Sequence, residues 1–103
     1  MMLLSTAPSD KALNLANELI DKKAAVCVNL VPNINSVYVW KGEKISDNES
    51  LLIIKGKFKK VRKIFKNSHP YEVFELAKIN AKFNKKYAIW LKSTLKIKKG
   101  KKC

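Results

Sequence analysis

The chain has 103 residues, of which 47% are hydrophobic, and its 22 basic residues outnumber 8 acidic ones to give a net charge of +14. This length and composition predict one globular domain with one core and exclude a disordered chain. No apolar run reaches the roughly 18 residues of a membrane span, and the first four residues are too few for a signal peptide. We therefore expect a cytoplasmic protein with no membrane partner.

The positive charge is compatible with nucleic-acid binding, because clustered cations release counterions from phosphates. Arg62 is the one arginine of the sequence, however, and base recognition relies on bidentate arginine contacts. Lysine, asparagine and isoleucine have A/T-rich codons, so drift in a nucleotide-biased genome explains the excess of lysine. We expect no specific nucleic-acid partner.

Hydrophobic periodicity predicts a strand, an amphipathic helix, a long hairpin, a second helix, a further strand and a short helix. The predicted bounds, in chain order, are residues 2–6, 9–23, 24–40, 44–55, 57–68, 71–82 and 87–95. This βαββαβ order predicts an α+β, ferredoxin-like domain, an antiparallel sheet with two helices on one face. The domain covers residues 1–97, and residues 98–103 form a basic, solvated tail.

Four residues are predicted to shape these elements. Ser9 is the expected N-cap of the first helix, and Gly42 supplies the positive φ of the hairpin turn. Pro70 ends the second helix and biases His69 towards extended geometry. Cys27 lies between two valines in a strand and is interpreted as a small core residue.

The hairpin of residues 24–55 is too long for its domain. A strand of this length spans about 50 Å at about 3.3 Å per residue, whereas a compact chain of this size is only about 33 Å across. Pro32 is expected to bend the strand, and the far half, with Val37, Val39 and Trp40, should leave the domain. Such an apolar ribbon aggregates unless another chain covers it, so we predict an obligate oligomer.

Six segments along the chain, in this order, resemble the CutA family of divalent-cation tolerance proteins. They are Thr6-Ala7-Pro8, Ala24-Ala25-Val26-Cys27-Val28-Asn29, Tyr38-Val39-Trp40-Lys41-Gly42, Leu52-Ile53-Ile54-Lys55, His69-Pro70-Tyr71-Glu72 and Tyr87 to Trp90. The resemblance implies a ferredoxin-like homotrimer joined through its long hairpins. It further implies a cytosolic protein linked to copper and divalent-cation tolerance, with no established catalytic activity.

The resemblance also implies a copper site, because some bacterial relatives bind copper through a cysteine and two adjacent histidines. The matching positions here are Ser5, Ser68 and His69, so one of the three ligand types remains. The family's second proline after this histidine is Phe74 here. We expect weak binding of Cu²⁺ or another divalent cation at His69, with Ser5, Ser68, Glu72, Glu75 and Cys27 as weaker candidates.

The residues around His69 support two interpretations on their own. In an extended segment His69, Tyr71 and Glu75 share one face, with Glu72 on the other, and imidazole with a carboxylate can hold Cu²⁺ or Zn²⁺. Alternatively, His69 only caps the helix C-terminus, and Glu72 pairs with a lysine. A nucleophile–base pair of Cys27 and His69 is disfavoured, since no oxyanion-type loop is visible, and we expect no enzyme.

Two other classes of protein share this order of elements. An RNA-recognition module needs glycine and aromatic residues where the third strand has the aliphatic run Leu51 to Ile54, so this interpretation fails. PII signalling proteins share the topology and bind nucleotides between subunits. A PII-like trimer that binds a small molecule therefore remains the alternative, although no glycine-rich phosphate cradle is present.

Overall fold

A computed structural model of the protein describes the backbone of residues 1–100 and the side chains of residues 1–95. Its elements are β1 Met2–Ala7, α1 Ser9–Asp21, β2 Ala25–Trp40, β3 Glu43–Gly56, α2 Phe58–Ser68, β4 Ala77–Ile79 and α3 Lys85–Gly100. The strands form one antiparallel sheet in the order β2-β3-β1-β4. The predicted α+β, ferredoxin-like class is confirmed.

The core lies between the sheet and the pair α1 and α2. Burial alternates along β1, so that every second side chain faces the helices, as period-2 geometry requires. These side chains meet the apolar stripes of both helices in one cluster. Its largest members are Leu3, Leu19, Leu52, Ile54, Val61 and Phe65, all at most 1% exposed.

Cys27 does not belong to this core and is half-exposed, which corrects the prediction. Val28 and Leu30 of the same strand pack against the cluster, so alternation places Cys27 on the opposite face. There it is the register partner of Lys55.

The predicted cap of α1 is also wrong by one position. Pro8 is the N-cap, Ser9 is the first helical residue, and no side chain caps the helix. Proline fixes φ near the value that a helix entrance needs, and its carbonyl accepts from the amides of Lys11 and Ala12. The Ser9 hydroxyl instead lies 3.0 Å from the hydroxyl of Ser50 on β3.

The hairpin bends where the sequence predicted. The β2–β3 register shifts between Val31 and Ile34, and Asn33 takes a φ of 61° at this bulge. Below the bulge β3 pairs with β1 at residues 50–55, but in the described structure residues 34–49 pair only with each other. We call this two-stranded part, residues 34–49, the ribbon. The molecule is accordingly elongated, 51 × 29 × 21 Å.

The last third of the chain departs from the predicted bounds. Instead of a strand over residues 71–82, only Ala77–Ile79 pairs with β1, and the segment before it is irregular. The last helix is longer than predicted and runs to Gly100. The prediction of a solvated tail at residues 98–103 is not tested, because the side chains of these residues lie outside the described part of the structure. Within the described chain, no helix has the length and apolarity that a membrane crossing requires.

We expect Gly56→Ala to destabilise the fold by about 3 kcal/mol, at the upper end of the cost of overpacking. An added Cβ would lie 2.4 Å from the Ala24 carbonyl oxygen, and the Lys57 amide holds that oxygen at 2.9 Å. Gly42→Ala is the matched control, because its Cβ meets nothing within 4 Å and only its φ of 79° is strained, by about 1 kcal/mol. Equal losses in denaturant unfolding would contradict this account of Gly56.

Candidate functional site: an acidic cleft at the base of the ribbon

His69 ends α2 in the way the following proline predicts. It is the C-cap residue, with φ −72° and ψ 133°, and its amide still donates to the Phe65 carbonyl at 2.9 Å. Pro70 disfavours helical geometry in the residue before it, so the chain turns outward here. The imidazole is thereby directed towards the end of β1.

Both ring nitrogens of His69 are engaged by the backbone. Nε2 lies 2.9 Å from the Thr6 carbonyl oxygen, and Nδ1 lies 3.1 Å from the Tyr71 amide nitrogen. Because a carbonyl only accepts and an amide N–H only donates, the ring is neutral with its proton on Nε2. His69 therefore links β1 to the segment that follows α2 and has no free lone pair for a metal.

Aromatic rings surround this imidazole. The ring centroids of Phe65, Tyr71 and Phe74 lie 5.1, 5.0 and 5.3 Å away, with Phe74 stacked on it. Burial lowers the pKa of His69 from its ordinary value, against the opposing effects of the Thr6 hydrogen bond and the charge of Glu49. The neutral ring is thus the form that the fold selects.

Tyr71 extends the connection to the hairpin. Its hydroxyl donates to Glu49 Oε1 at 2.7 Å, and Glu49 is only 6% exposed. Burial, followed by this hydrogen bond and the carboxylate charge, raises the pKa of Tyr71 far above its ordinary range. On the ribbon, the Tyr38 hydroxyl donates to Asp47 in the same manner.

These residues border a cleft of about 450 Å³ between the ribbon and residues 70–75. Its walls carry three carboxylates, from Glu49, Glu72 and Glu75, and three large aromatic rings, from Tyr38, Trp40 and Tyr71. In the described residues, the lining thus has three of the chain's 8 acidic residues and none of its 22 basic residues. We call this site the acidic cleft.

The candidate metal ligands do not come together around His69. The buried Ser5 hydroxyl donates to the Glu75 carbonyl at 2.5 Å, and the Ser68 hydroxyl donates to Glu18 Oε2 at 2.9 Å. Within the part of the chain that the structure describes, no three His, Cys, Asp or Glu side chains gather as a metal site. A three-ligand copper site therefore does not fit one chain, and copper binding at His69 stays a prediction.

Cys27 and His69 are not paired either. The Cys27 Sγ lies 3.9 Å from Asn29 Oδ1 on the sheet face opposite the core, close to Tyr87 of α3. The imidazole is instead held between its two backbone partners. A nucleophile needs its base within hydrogen-bond reach, so this arrangement gives no activated thiol.

Sequence reasoning missed Glu49 and misplaced Glu72. Glu49 precedes the apolar run of β3, and nothing in its local pattern signals that Tyr71, 22 positions later, donates to it. Glu72 was assigned to the face opposite Tyr71, but the segment is irregular, so strict alternation fails and both residues line the cleft.

We expect the free energy of unfolding to fall as pH drops below about 6.5, because the unfolded chain then binds a proton at His69 more readily than the folded protein does. The pKa of His69 is lower in the folded state than in the unfolded state. Its contribution to stability is therefore complete at pH values above the unfolded-state pKa, and it is lost as pH falls through the folded-state pKa. His69→Phe keeps the ring packing but removes the titration. It should cost about 1–3 kcal/mol at pH 7.5 by leaving polar backbone groups without partners, and this gap should narrow towards pH 5.

Denaturant unfolding of both proteins at one protein concentration measures this gap, and groups common to both cancel in the difference. A gap that stays constant or widens on acidification would contradict the neutral, doubly bonded ring.

Comparison with known proteins places this geometry in a family. The profile of the CutA1 divalent ion tolerance protein family matches residues 1–94. The divalent-cation tolerance protein CutA of Thermus thermophilus is 38% identical over 96 residues, which cover 88% of this chain and 93% of that protein. The CutA homolog of Xenopus laevis is 43% identical over 75 residues, and this chain spans half of its length.

Solved structures show the same fold. The periplasmic divalent cation tolerance protein CutA of Archaeoglobus fulgidus superposes with a TM-score of 0.86 at 31% identity, covering 91% of this chain and 96% of that one. A PII-like protein CutA from Nostoc gives 0.85 at 27% identity, covering 91% and 95%. A matching profile over more than nine tenths of the sequence, relatives above 30% identity and a shared fold establish that this chain belongs to the CutA1 divalent ion tolerance family.

Proposed function

We propose that the protein is a non-enzymatic homotrimer that binds a small cation in the acidic cleft. The observation that carries this proposal is the reversal of charge: a chain of net charge +14 lines this cleft with three carboxylates, and the described lining contains no basic side chain. Carboxylates on the wall of one cleft repel one another, and a bound cation relieves that repulsion. The family name, divalent ion tolerance, agrees with a cationic ligand.

Local charge decides the sign of attraction in such a cleft. At physiological ionic strength the Debye length is about 8 Å, so lysines farther than this from the cleft are largely screened, whereas Lys41, whose Nζ lies 5.7 Å from the centroid of the lining Trp40 ring, is not. Carboxylates on its own wall act within that distance. The faces of Tyr38 and Tyr71 add cation–π attraction, which suits an organic ammonium as well as a metal ion. The Trp40 ring, in contrast, is already contacted by the Lys41 ammonium.

Two sources of positive charge fit this chemistry. Carboxylate oxygens suit hard divalent cations such as Mg²⁺, whereas Cu²⁺ has the higher intrinsic affinity for most sites. A PII-like small-molecule ligand with an ammonium group is the second, favoured by the aromatic rings. In either case His69 acts by holding residues 70–75 in place, since ligation by its ring would require loss of the Tyr71 or Thr6 hydrogen bond.

Calorimetric titration with Cu²⁺, Mg²⁺ and choline separates these ligands. We expect the double variant Glu72→Gln/Glu75→Gln to lose at least tenfold in affinity, about 1.4 kcal/mol, because both carboxylates are exposed on the cleft wall. Asp21→Asn, an exposed acid at the end of α1, is the matched control and should change little.

His69→Phe tests direct ligation of copper at the same time. If His69→Phe weakens Cu²⁺ binding more than the double glutamate variant does while leaving Mg²⁺ and choline binding unchanged, His69 is the copper ligand and the carboxylate account is wrong. If none of the three cations binds, or if Asp21→Asn weakens binding equally, the acidic cleft is not a cation site.

The ribbon supports assembly into a trimer. On the ribbon, Val37 and Val39 are 66% and 73% exposed, and Tyr38 and Trp40 are 40% and 38% exposed. Outside the ribbon, Ile89 on α3 is 59% exposed. A two-stranded ribbon is marginally stable alone, and its unpaired apolar edges favour pairing with another chain. Three copies that cover each other's ribbons satisfy every edge in a closed ring.

We expect native mass spectrometry to show three subunits at micromolar concentration. Val39→Lys should reduce the trimer to monomer or aggregate, because it places a charge in an apolar interface, while Lys59→Glu, an exposed lysine on α2 away from the ribbon, should not. A wild-type chain that remains a monomer, or a Val39→Lys variant that assembles normally, would contradict this mode of assembly. The cytoplasmic location of the trimer remains a prediction.

A further inference from the structure

A second groove lies at the opposite end of β1 from the acidic cleft. It has a volume of about 540 Å³ and is bordered by Met1, by β4 and the residues after it, and by the middle of α3. This volume is within the range of small-molecule sites. It shares no lining residue with the acidic cleft.

The charge of this groove is the reverse of that of the acidic cleft. Lys78, Lys82 and Lys92 line it, and within the described lining no acidic residue is present. None of the three is in an ion pair in the described part of the structure, where the recorded salt bridge joins Lys22 to Glu18. The sequence supplies no counter-charge nearby, since residues 76–103 contain no Asp or Glu. The three lysine side chains are therefore available to an anionic ligand.

The floor of the groove is apolar. Ile79, Phe83 and Ala88 line it, together with Leu91, which is 1% exposed. The Phe83 ring packs against Tyr87 with centroids 5.3 Å apart, and this contact supports the ring from outside the groove lining. A flat apolar body can thus lie on the floor while a charged group reaches the lysines.

We propose that this groove, which we call the basic groove, binds a small organic anion with an aromatic body and a phosphate group. A lysine ammonium attracts phosphate as a point charge. Three lysines beside one apolar floor therefore favour a ligand with an anionic group at one end and an apolar body at the other. A free inorganic anion gains nothing from the floor, and a neutral aromatic compound gains nothing from the lysines. The groove would give this protein a second ligand of opposite charge to that of the acidic cleft.

Titration of the full-length protein with 1-naphthyl phosphate tests this proposal, with 1-naphthol and inorganic phosphate as separate arms. We expect saturable binding of 1-naphthyl phosphate, with both other probes at least tenfold weaker. Lys82→Gln/Lys92→Gln should weaken binding at least tenfold, and Phe83→Ala should weaken it several-fold. Lys59→Gln/Lys63→Gln, two exposed lysines on α2, are the matched control and should leave the affinity unchanged.

Each other outcome overturns the proposal. Equal binding of 1-naphthol would make the groove a nonspecific apolar patch, and equal losses in the α2 control would make the binding a general attraction to a basic protein. If the folded protein does not bind 1-naphthyl phosphate, the groove takes no such ligand. The same conclusion holds if a second copy of the chain covers the basic groove and prevents binding. The cation titrations of the acidic cleft are unaffected by any of these results.

Discussion

The unequal lengths of the strands are the constraint on which this structure depends. β2 and β3 have 16 and 14 residues, whereas β1 has 6, so β1 can support only the lower half of the hairpin. The bulge after Val31 marks this limit, and above it the ribbon has no third strand in the described chain. The exposed valines of the ribbon and the cleft at its base both follow from this mismatch. The mismatch is also the reason for our proposal that another copy of the chain covers the ribbon.

The segment after α2 is fixed by a short series of polar contacts rather than by a strand. His69 joins the Thr6 carbonyl to the Tyr71 amide, and Tyr71 in turn reaches Glu49 at the base of the ribbon. These contacts hold Glu72 and Glu75 along the wall of the acidic cleft. The chain thus separates its charges, with three carboxylates in the lining of the acidic cleft and no Asp or Glu in residues 76–103. Through its two backbone hydrogen bonds, His69 contributes to the shape of the cleft.

Sequence reasoning predicted the fold well because the period of each long element is clear and the hairpin turn has its glycine. It failed at β4, where apolar residues at 71–82 resemble a strand but only Ala77–Ile79 finds a partner along the short β1. It also misjudged Cys27, because its flanking valines do not reveal which face turns inward. The acidic cleft escaped prediction because the contact of Glu49 with Tyr71 is made by the fold, between residues that share no local pattern. His69 was found, but its role depends on two backbone groups that a sequence cannot place.

We propose above all that the ribbon is stable only when another copy of the chain covers it. Hydrogen–deuterium exchange of the amides in residues 34–49, measured across a dilution series and compared with residues 50–55 of the same strand, tests this most directly. Our account predicts that both segments are protected in the assembled protein and that dilution to monomer removes protection from the ribbon first, because residues 50–55 keep β1 as a partner. A ribbon that stays as protected as residues 50–55 in a demonstrated monomer would contradict the account.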